Sequence, residues 1–246
     1  MKSKKVTIPG KGYSLSGTLI VPDKYSTKLP AVIFYHGMVS QSKPRYVKRA
    51  QALAKEEIAT LTFDFRGCGE SKGNIKKVSI EQWLADALLA FNFLLEQPFV
   101  DPERIGISGK SFGGFIGALV SKERKVKSMV FQAPAVYSDS WFKIPCLVST
   151  YNNEEQTKLR VLYRNSRNAF NNKAIRAIER YRNPFLIIGS EFDDAIPKNI
   201  VEGYYNTCPS ETKKLVWVKG ADHPLRNEKH NQEYTKLMID WFKETL

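Results

Sequence analysis

A serine bracketed by glycines, Gly109-Lys110-Ser111-Phe112-Gly113, fits the pattern G-x-S-x-G. In that device a strand reverses sharply into a helix and holds the serine hydroxyl bare on a strained turn. The glycines leave room for neighbouring chain that a Cβ would block. The surroundings agree: Arg104-Ile105-Gly106-Ile107-Ser108 upstream reads as a short buried strand, and Phe115, Ile116, Ala118 and Leu119 downstream carry helical spacing. A serine hydroxyl is a poor nucleophile near neutral pH, so it needs a base to accept its proton and an acid to orient that base.

Where the nucleophile sits on such a turn, acid and base follow it in chain order, each in the loop after a later strand. The chain has three histidines, which makes the choice narrow. His36 precedes Ser111, and His230 falls at the start of a predicted helix. His223, in Lys219-Gly220-Ala221-Asp222-His223-Pro224, directly follows the last predicted strand and is the base by elimination. For the acid, Gly189-Ser190-Glu191-Phe192-Asp193-Asp194-Ala195-Ile196-Pro197 offers three carboxylates. Asp193 ranks first because it stands four residues before Pro197, with Asp194 second and Glu191 third. An oxyanion needs two backbone N–H donors, and these are expected from Phe112, at the start of a helix, and from Met38, after His36-Gly37. His36 is expected to pin its loop rather than to touch substrate.

The elements that must position these residues follow from periodicity. Residues 5–21 read as two antiparallel strands joined by a turn. Pro30-Ala31-Val32-Ile33-Phe34-Tyr35 is a continuous apolar run of the kind buried on both faces of a parallel sheet, and Thr60-Leu61-Thr62-Phe63-Asp64-Phe65 is the next strand. Between them, Val47, Ala50, Leu53 and Ala54 share one helical face. Ser79 and Gln82 match a capping box ahead of Ile80, Trp83, Leu84, Ala87, Leu88, Phe91 and Leu95, a helix stopped at Pro98. Further strands are expected at 128–133, 185–189 and 214–218. The last helix carries Tyr234, Leu237, Met238, Trp241 and Phe242 on one face. Alternation of strands and helices predicts an α/β fold, a mostly parallel doubly wound sheet with an N-terminal antiparallel hairpin and functional loops at the carboxyl ends of the strands. Residues 134–182 carry no convincing strand, only helical stretches around Leu159, Leu162 and Tyr163 and around Ala174, Ile175 and Ile178. They read as a small helical cap inserted in a single domain spanning 1–246, the alternative being an ordinary long crossover.

Composition narrows the function classes. The 246 residues are 42% hydrophobic and 26% charged, as in soluble globular domains. No apolar run approaches a membrane span and the basic N-terminus has no apolar core, so the expectation is a cytoplasmic protein. The net charge of +13 would suit nucleic acid, but the lysines are spread without a dense cluster or a recognised motif, and no nucleic-acid partner is expected. Cys68, Cys146 and Cys208 are far apart without C-x-x-C spacing, so reduced thiols are expected and neither a metal nor a cofactor is called for.

Together these residues resemble the α/β-hydrolase superfamily over nearly the whole chain. Phe34-Tyr35-His36-Gly37 resembles its oxyanion loop. Asp64-Phe65-Arg66-Gly67-Cys68-Gly69-Glu70-Ser71 is similar to its D-x-R-G-x-G-x-S turn, and Asp101-Pro102-Glu103-Arg104-Ile105 to the lead-in to the nucleophile. Within the superfamily the likeness is to small serine esterases of the cinnamoyl and feruloyl esterase type and to the dienelactone-hydrolase-like and prolyl-oligopeptidase-like branches. Dienelactone hydrolases proper use cysteine where this chain has Ser111, which argues against their chemistry. Lys110 stands where many relatives carry an aromatic, histidine or acidic residue; it either holds a nearby carboxylate or faces solvent. Asp64 and Arg66 are expected to build a turn rather than to react.

The expected activity is a serine carboxyl-ester hydrolase that forms an acyl-enzyme on a small-molecule ester, without nucleic-acid or membrane partners, as a monomer or homodimer. Trp141, Phe142, Tyr151, Tyr163, Phe170 and Tyr181 in residues 134–182 suit a medium or aromatic acyl group; packing within the cap accounts for them equally. The same three residues would serve a thioesterase or an acyl-peptide hydrolase. A third possibility is a binding module that has lost catalysis.

Overall fold

Along β3 (Leu29–Tyr35) Ala31, Ile33 and Tyr35 join one hydrophobic core while Val32 and Phe34 join another. Successive strand side chains point to opposite faces, so a strand apolar at every position belongs in the middle of a sheet covered on both sides. The computed structural model, which describes residues 1–25, 27–38, 43–145 and 169–246, places it there. The strands are β1 (Lys2–Gly10), β2 (Tyr13–Val21), β3, β4 (Ala59–Phe63), β5 (Val100–Lys110), β6 (Ser128–Gln132), β7 (Phe185–Phe192) and β8 (Lys213–Asp222). They form one eight-stranded sheet in the order β1-β2-β4-β3-β5-β6-β7-β8. The N-terminal hairpin is antiparallel and joins β4 antiparallel; every later pairing is parallel.

Helices cover both faces. One core takes α1 (Lys43–Ala54) and α6 (Glu228–Thr245), the latter through Tyr234, Met238, Trp241 and Phe242. The other takes α2 (Ile80–Leu95), α3 (Phe112–Glu123), α4 (Lys173–Ile178) and α5 (Lys198–Thr207). The capping box that starts α2 is formed: Gln82 N donates to Ser79 Oγ at 3.3 Å and Ser79 N to Gln82 Oε1 at 3.0 Å. Chain direction across the sheet reverses between β3 and β5, the switch point where ligand crevices open in such sheets. Gly37 follows β3 there and Ser111 follows β5.

The structure departs from the sequence reading chiefly in where strands end and in one added helix, and it forms the helix expected around Ala174, Ile175 and Ile178. The strand expected over 60–65 stops at Phe63, because Asp64 N turns to donate to Ser16 O and Phe65 N to His36 Nε2. Strands β7 and β8 run on to Phe192 and Asp222, which brings Asp193 and His223 to the residues directly after their strands. Helix α5 had no counterpart in the prediction. Within 134–182 the described residues hold a short 3-10 turn (Asp139–Trp141) and α4; the stretch around Leu159, Leu162 and Tyr163 lies outside the described residues. Cys68 and Cys208 are buried and reduced, and Cys146 is outside the described residues. Burial, with the charges of Asp64 and Asp86, pushes the Cys68 thiol up to about 12, so it carries no thiolate near neutral pH. Among the described residues no helix is long and apolar enough to cross a membrane.

One close approach fixes the centre of the fold. A Cβ on Gly113 would stand 1.9 Å from Tyr35 O, whereas one on Gly37 would meet nothing nearer than 3.7 Å. Gly113→Ala should therefore lower stability by more than about 4 kcal/mol, and Gly37→Ala should stay within about 1 kcal/mol of wild type. Urea unfolding of the two variants checks this.

Candidate active site

The chain leaves β5 and enters α3 through Ser111, held at φ 52° and ψ −115°. A non-glycine residue at positive φ is strained, and such strain survives only where neighbours over-determine it. Here they do: Ser111 N donates to Gln132 O at 2.8 Å, and Ser111 O accepts from Gly114 N at 3.0 Å, Phe115 N at 3.2 Å and Ala135 N at 3.1 Å. The backbone is fully engaged and the hydroxyl makes no cap to its own helix. Phe112, the next residue, buries its ring against Trp83 at 4.9 Å and Tyr137 at 5.7 Å between centroids, which fixes the first turn of α3.

The loop after β7 carries Asp193. Its Oδ1 accepts from Ala195 N at 2.9 Å and Ile196 N at 2.7 Å, and its Oδ2 lies 2.7 Å from His223 Nδ1, in the loop after β8. The carboxylate is 3% exposed and the imidazole 16%. A proton on Nδ1 that faces the carboxylate leaves Nε2 with its lone pair, the form a base needs. Asp194 is exposed, and Glu191 instead accepts from Gly220 N at 2.8 Å, so of the three carboxylates only Asp193 meets His223. His230 sits in the first turn of α6. Among the described residues no hydrogen bond joins the Ser111 hydroxyl to the His223 ring. In unliganded sites such contacts are often long and tighten only around substrate.

The loop after β3 lies against the serine. A Cβ on Gly37 would be 3.7 Å from both Lys110 O and Ser111 Cβ, and Met38 follows it, packed partly against the core. Phe112 directly follows the serine, and Met38 follows the Gly37 that lies against it. Lys110 is half-buried at the end of β5. His36, 4% exposed, pins its loop: Nε2 accepts from Phe65 N at 3.1 Å, so Nδ1 carries the proton and donates to Gly37 O at 2.7 Å. The turn that supplies Phe65 is itself structural. Asp64 Oδ2 accepts from Glu70 N at 3.0 Å, and Gly69, at φ 50°, is where a Cβ would strike the Asp64 carboxylate at 2.4 Å. Arg66 Nε donates to buried Asp86 at 2.8 Å. Among the described residues no group of His, Cys, Asp and Glu side chains is placed to hold a metal ion. Sequence reasoning passed over Gln132, whose Nε2 donates to His223 O at 2.9 Å; the one signal was a polar residue closing the apolar run Met129-Val130-Phe131.

A strained serine between strand and helix, a paired aspartate and histidine after the last two strands, and a mostly parallel sheet covered on both faces define an α/β-hydrolase fold. The chain belongs to the prolyl oligopeptidase family, whose model matches residues 44–246. It is 30% identical over 129 residues to an uncharacterized 31.7 kDa protein of the traX-finO intergenic region of Escherichia coli, a match covering 52% of this chain and 45% of that protein. It is 33% identical over 110 residues to the thiohydrolase aneE of Aspergillus aculeatus, covering 44% of this chain and 34% of the relative. The chain thus matches less than half the length of these curated relatives. Its fold superposes on Est1E of Butyrivibrio proteoclasticus, solved with ferulic acid bound, with a TM-score of 0.72 and 21% identity over 96% of this chain and 98% of that one.

Burial pulls the His36 ring below its ordinary 6.5, outweighing the upward pull of the Gly37 carbonyl and of Asp64. The unfolded chain then takes up this proton first as pH falls. The stability tied to the neutral ring is complete above 6.5 and is lost as the pH drops toward the lower folded value. Wild type should lose stability to urea as the pH falls below 6.5, and His36→Gln, which cannot titrate, should lose that part of the slope.

Proposed function

We propose that the protein is a serine carboxyl-ester hydrolase. The observation that carries this is the 2.7 Å contact of Asp193 and His223, formed by loops of two adjacent strands at the edge of the sheet where Ser111 is strained into place. His223 Nε2 takes the hydroxyl proton as Ser111 Oγ bonds to the ester carbonyl carbon. Asp193 holds the imidazole in the required tautomer and faces the charge it acquires. The N–H groups of Phe112 and Met38 receive the oxyanion, with the N-terminus of α3 favouring negative charge. When the tetrahedral intermediate collapses, the alkoxide leaves with the proton from His223. Water, deprotonated by His223, then attacks the acyl-enzyme and releases the acid.

The cap expected over 134–182 lies partly outside the described residues; its described start, 134–145, follows β6 beside the serine. Tyr137 is buried edge-on against Phe112 and Phe115 in the core, and Trp141, partly buried beside it, is the aromatic side chain this reading offers to an aromatic or medium acyl group. The ferulic acid held by Est1E is of that kind. Thioesters are the second reading: the attacked carbonyl differs only in its leaving group, and a thiohydrolase stands among the relatives.

A fluorophosphonate probe should label the wild-type protein and leave Ser111→Ala unlabelled. His223→Ala should lower kcat for a p-nitrophenyl ester by about 10⁴-fold or more and Asp193→Asn by about 10³–10⁴-fold, with Asp194→Asn within about threefold of wild type. Parallel turnover of matched ester, thioester and amide substrates separates the two readings. Labelling that survives Ser111→Ala would end both.

A further inference from the structure

We propose that Gln132 is a positioning residue that holds the His223 main chain in register with the nucleophile; this rests on the hydrolase reading above. The last residue of β6, it is fully buried and bonded at both ends of its length. Its carbonyl accepts the Ser111 N–H at 2.8 Å, and its side-chain Nε2 donates to the His223 carbonyl at 2.9 Å. One residue thus binds the backbone of the serine and the backbone of the histidine, which lie 112 positions apart in the chain (223 − 111).

Asp193 holds the imidazole through its Nδ1. That leaves the position of the histidine Cα to other contacts. Gln132 supplies one from the sheet itself, since it pairs with Lys110 of β5 on one side and Ile188 of β7 on the other. The ring then has two anchors, a carboxylate at its Nδ1 edge and a main-chain tie at its root, and Nε2 can only point within a narrow arc.

Two features show that the amide is not there to stabilise the fold. Among the described residues Gln132 Oε1 is buried without a hydrogen-bond partner, a desolvation cost that an apolar side chain of the same length would avoid. The next residue, Ala133, is held at φ 42°, a strained conformation for alanine, and the bend lets Ala135 N reach Ser111 O at 3.1 Å. Unsatisfied polarity and backbone strain side by side, both spent next to the serine, are what a position selected for geometry would carry.

The test compares wild type with Gln132→Met, which keeps length and removes the donor, and with Gln132→Glu, which donates only when protonated. Gln132→Met should melt at or above the wild-type temperature. Its kcat should fall about 10- to 100-fold with KM within about twofold, and its fluorophosphonate labelling rate, measured per folded molecule, should fall in step. Activity of Gln132→Glu relative to wild type should climb as pH is lowered from about 9 to about 6, as the carboxyl gains the proton it needs to reach the His223 carbonyl. Labelling of Gln132→Met within twofold of wild type, or a flat Gln132→Glu ratio, overturns the proposal. A wild-type protein that the probe does not label overturns the hydrolase reading instead.

Discussion

The first turn of α3 runs so near the end of β3 that Tyr35 O occupies the space a Gly113 side chain would need. Gly109 is under the same constraint, with the Gly113 carbonyl 2.6 Å from where its Cβ would stand. Between these two glycines the chain has to change from strand to helix within one residue, and Ser111 does so at φ 52°. The strain costs about 1–3 kcal/mol and is offset by hydrogen bonds that take up both the N–H and the carbonyl of the serine. What is left of the residue is its hydroxyl. The half-buried hydroxyl, free of its own helix, is thus a consequence of packing a helix directly onto the central strand, and the other elements of the candidate site are arranged around the spot where that packing puts it.

The loop that faces the serine is held from the opposite direction. Asp86, fully buried on α2, accepts from Arg66 N at 2.9 Å and from Arg66 Nε at 2.8 Å, while the guanidinium stacks on Tyr13 at 3.9 Å. Burial pushes the Asp86 carboxyl up and the Arg66 donors pull it back. Trp83, also on α2, donates to Arg66 O at 3.0 Å. The turn after β4 is therefore fastened to α2 at several points, and its Phe65 N–H is the donor that meets His36. Through His36 the restraint reaches Gly37, and so the loop expected to bind an oxyanion is anchored to α2, the helix that also packs against Phe112. A buried ion pair of this kind adds little net stability, but it fixes orientation, which is what this loop requires.

Much of this was legible in the residues. Strand alternation in Val32, Ile33 and Phe34 and the helical spacing of Trp83, Ala87 and Phe91 reflect burial, which is a one-dimensional signal. The sheet and its covering helices could be read for that reason. The loops carrying Ser111, Asp193 and His223 were identifiable from their place after strands. Which carboxylate would face the imidazole was a ranking until the N–H groups of Ala195 and Ile196 were seen to turn Asp193 toward it. Helix α5 was missed because Ile200, Val201 and Tyr204 make a short apolar face interrupted by Gly203. Gln132 was passed over because its partners, Ser111 and His223, come together only in the folded chain. Contacts set by register between distant segments leave no periodic mark.

The distribution of backbone strain follows the same division. Among the described residues four non-glycines take positive φ: Glu57, Ser111, Ala133 and Leu225. Glu57 lies in the turn after α1, away from the site. The other three are Ser111 itself, the residue after Gln132, and a residue two beyond His223. Strain at about 1–3 kcal/mol apiece would be removed by drift if any relaxed sequence served equally well. The two cores absorb it because they bury apolar side chains on both faces of the central strands. Stability is thus concentrated within the sheet and strain at its carboxyl edge. A rigid interior is what allows that edge to hold three loops in conformations that none of them would adopt alone.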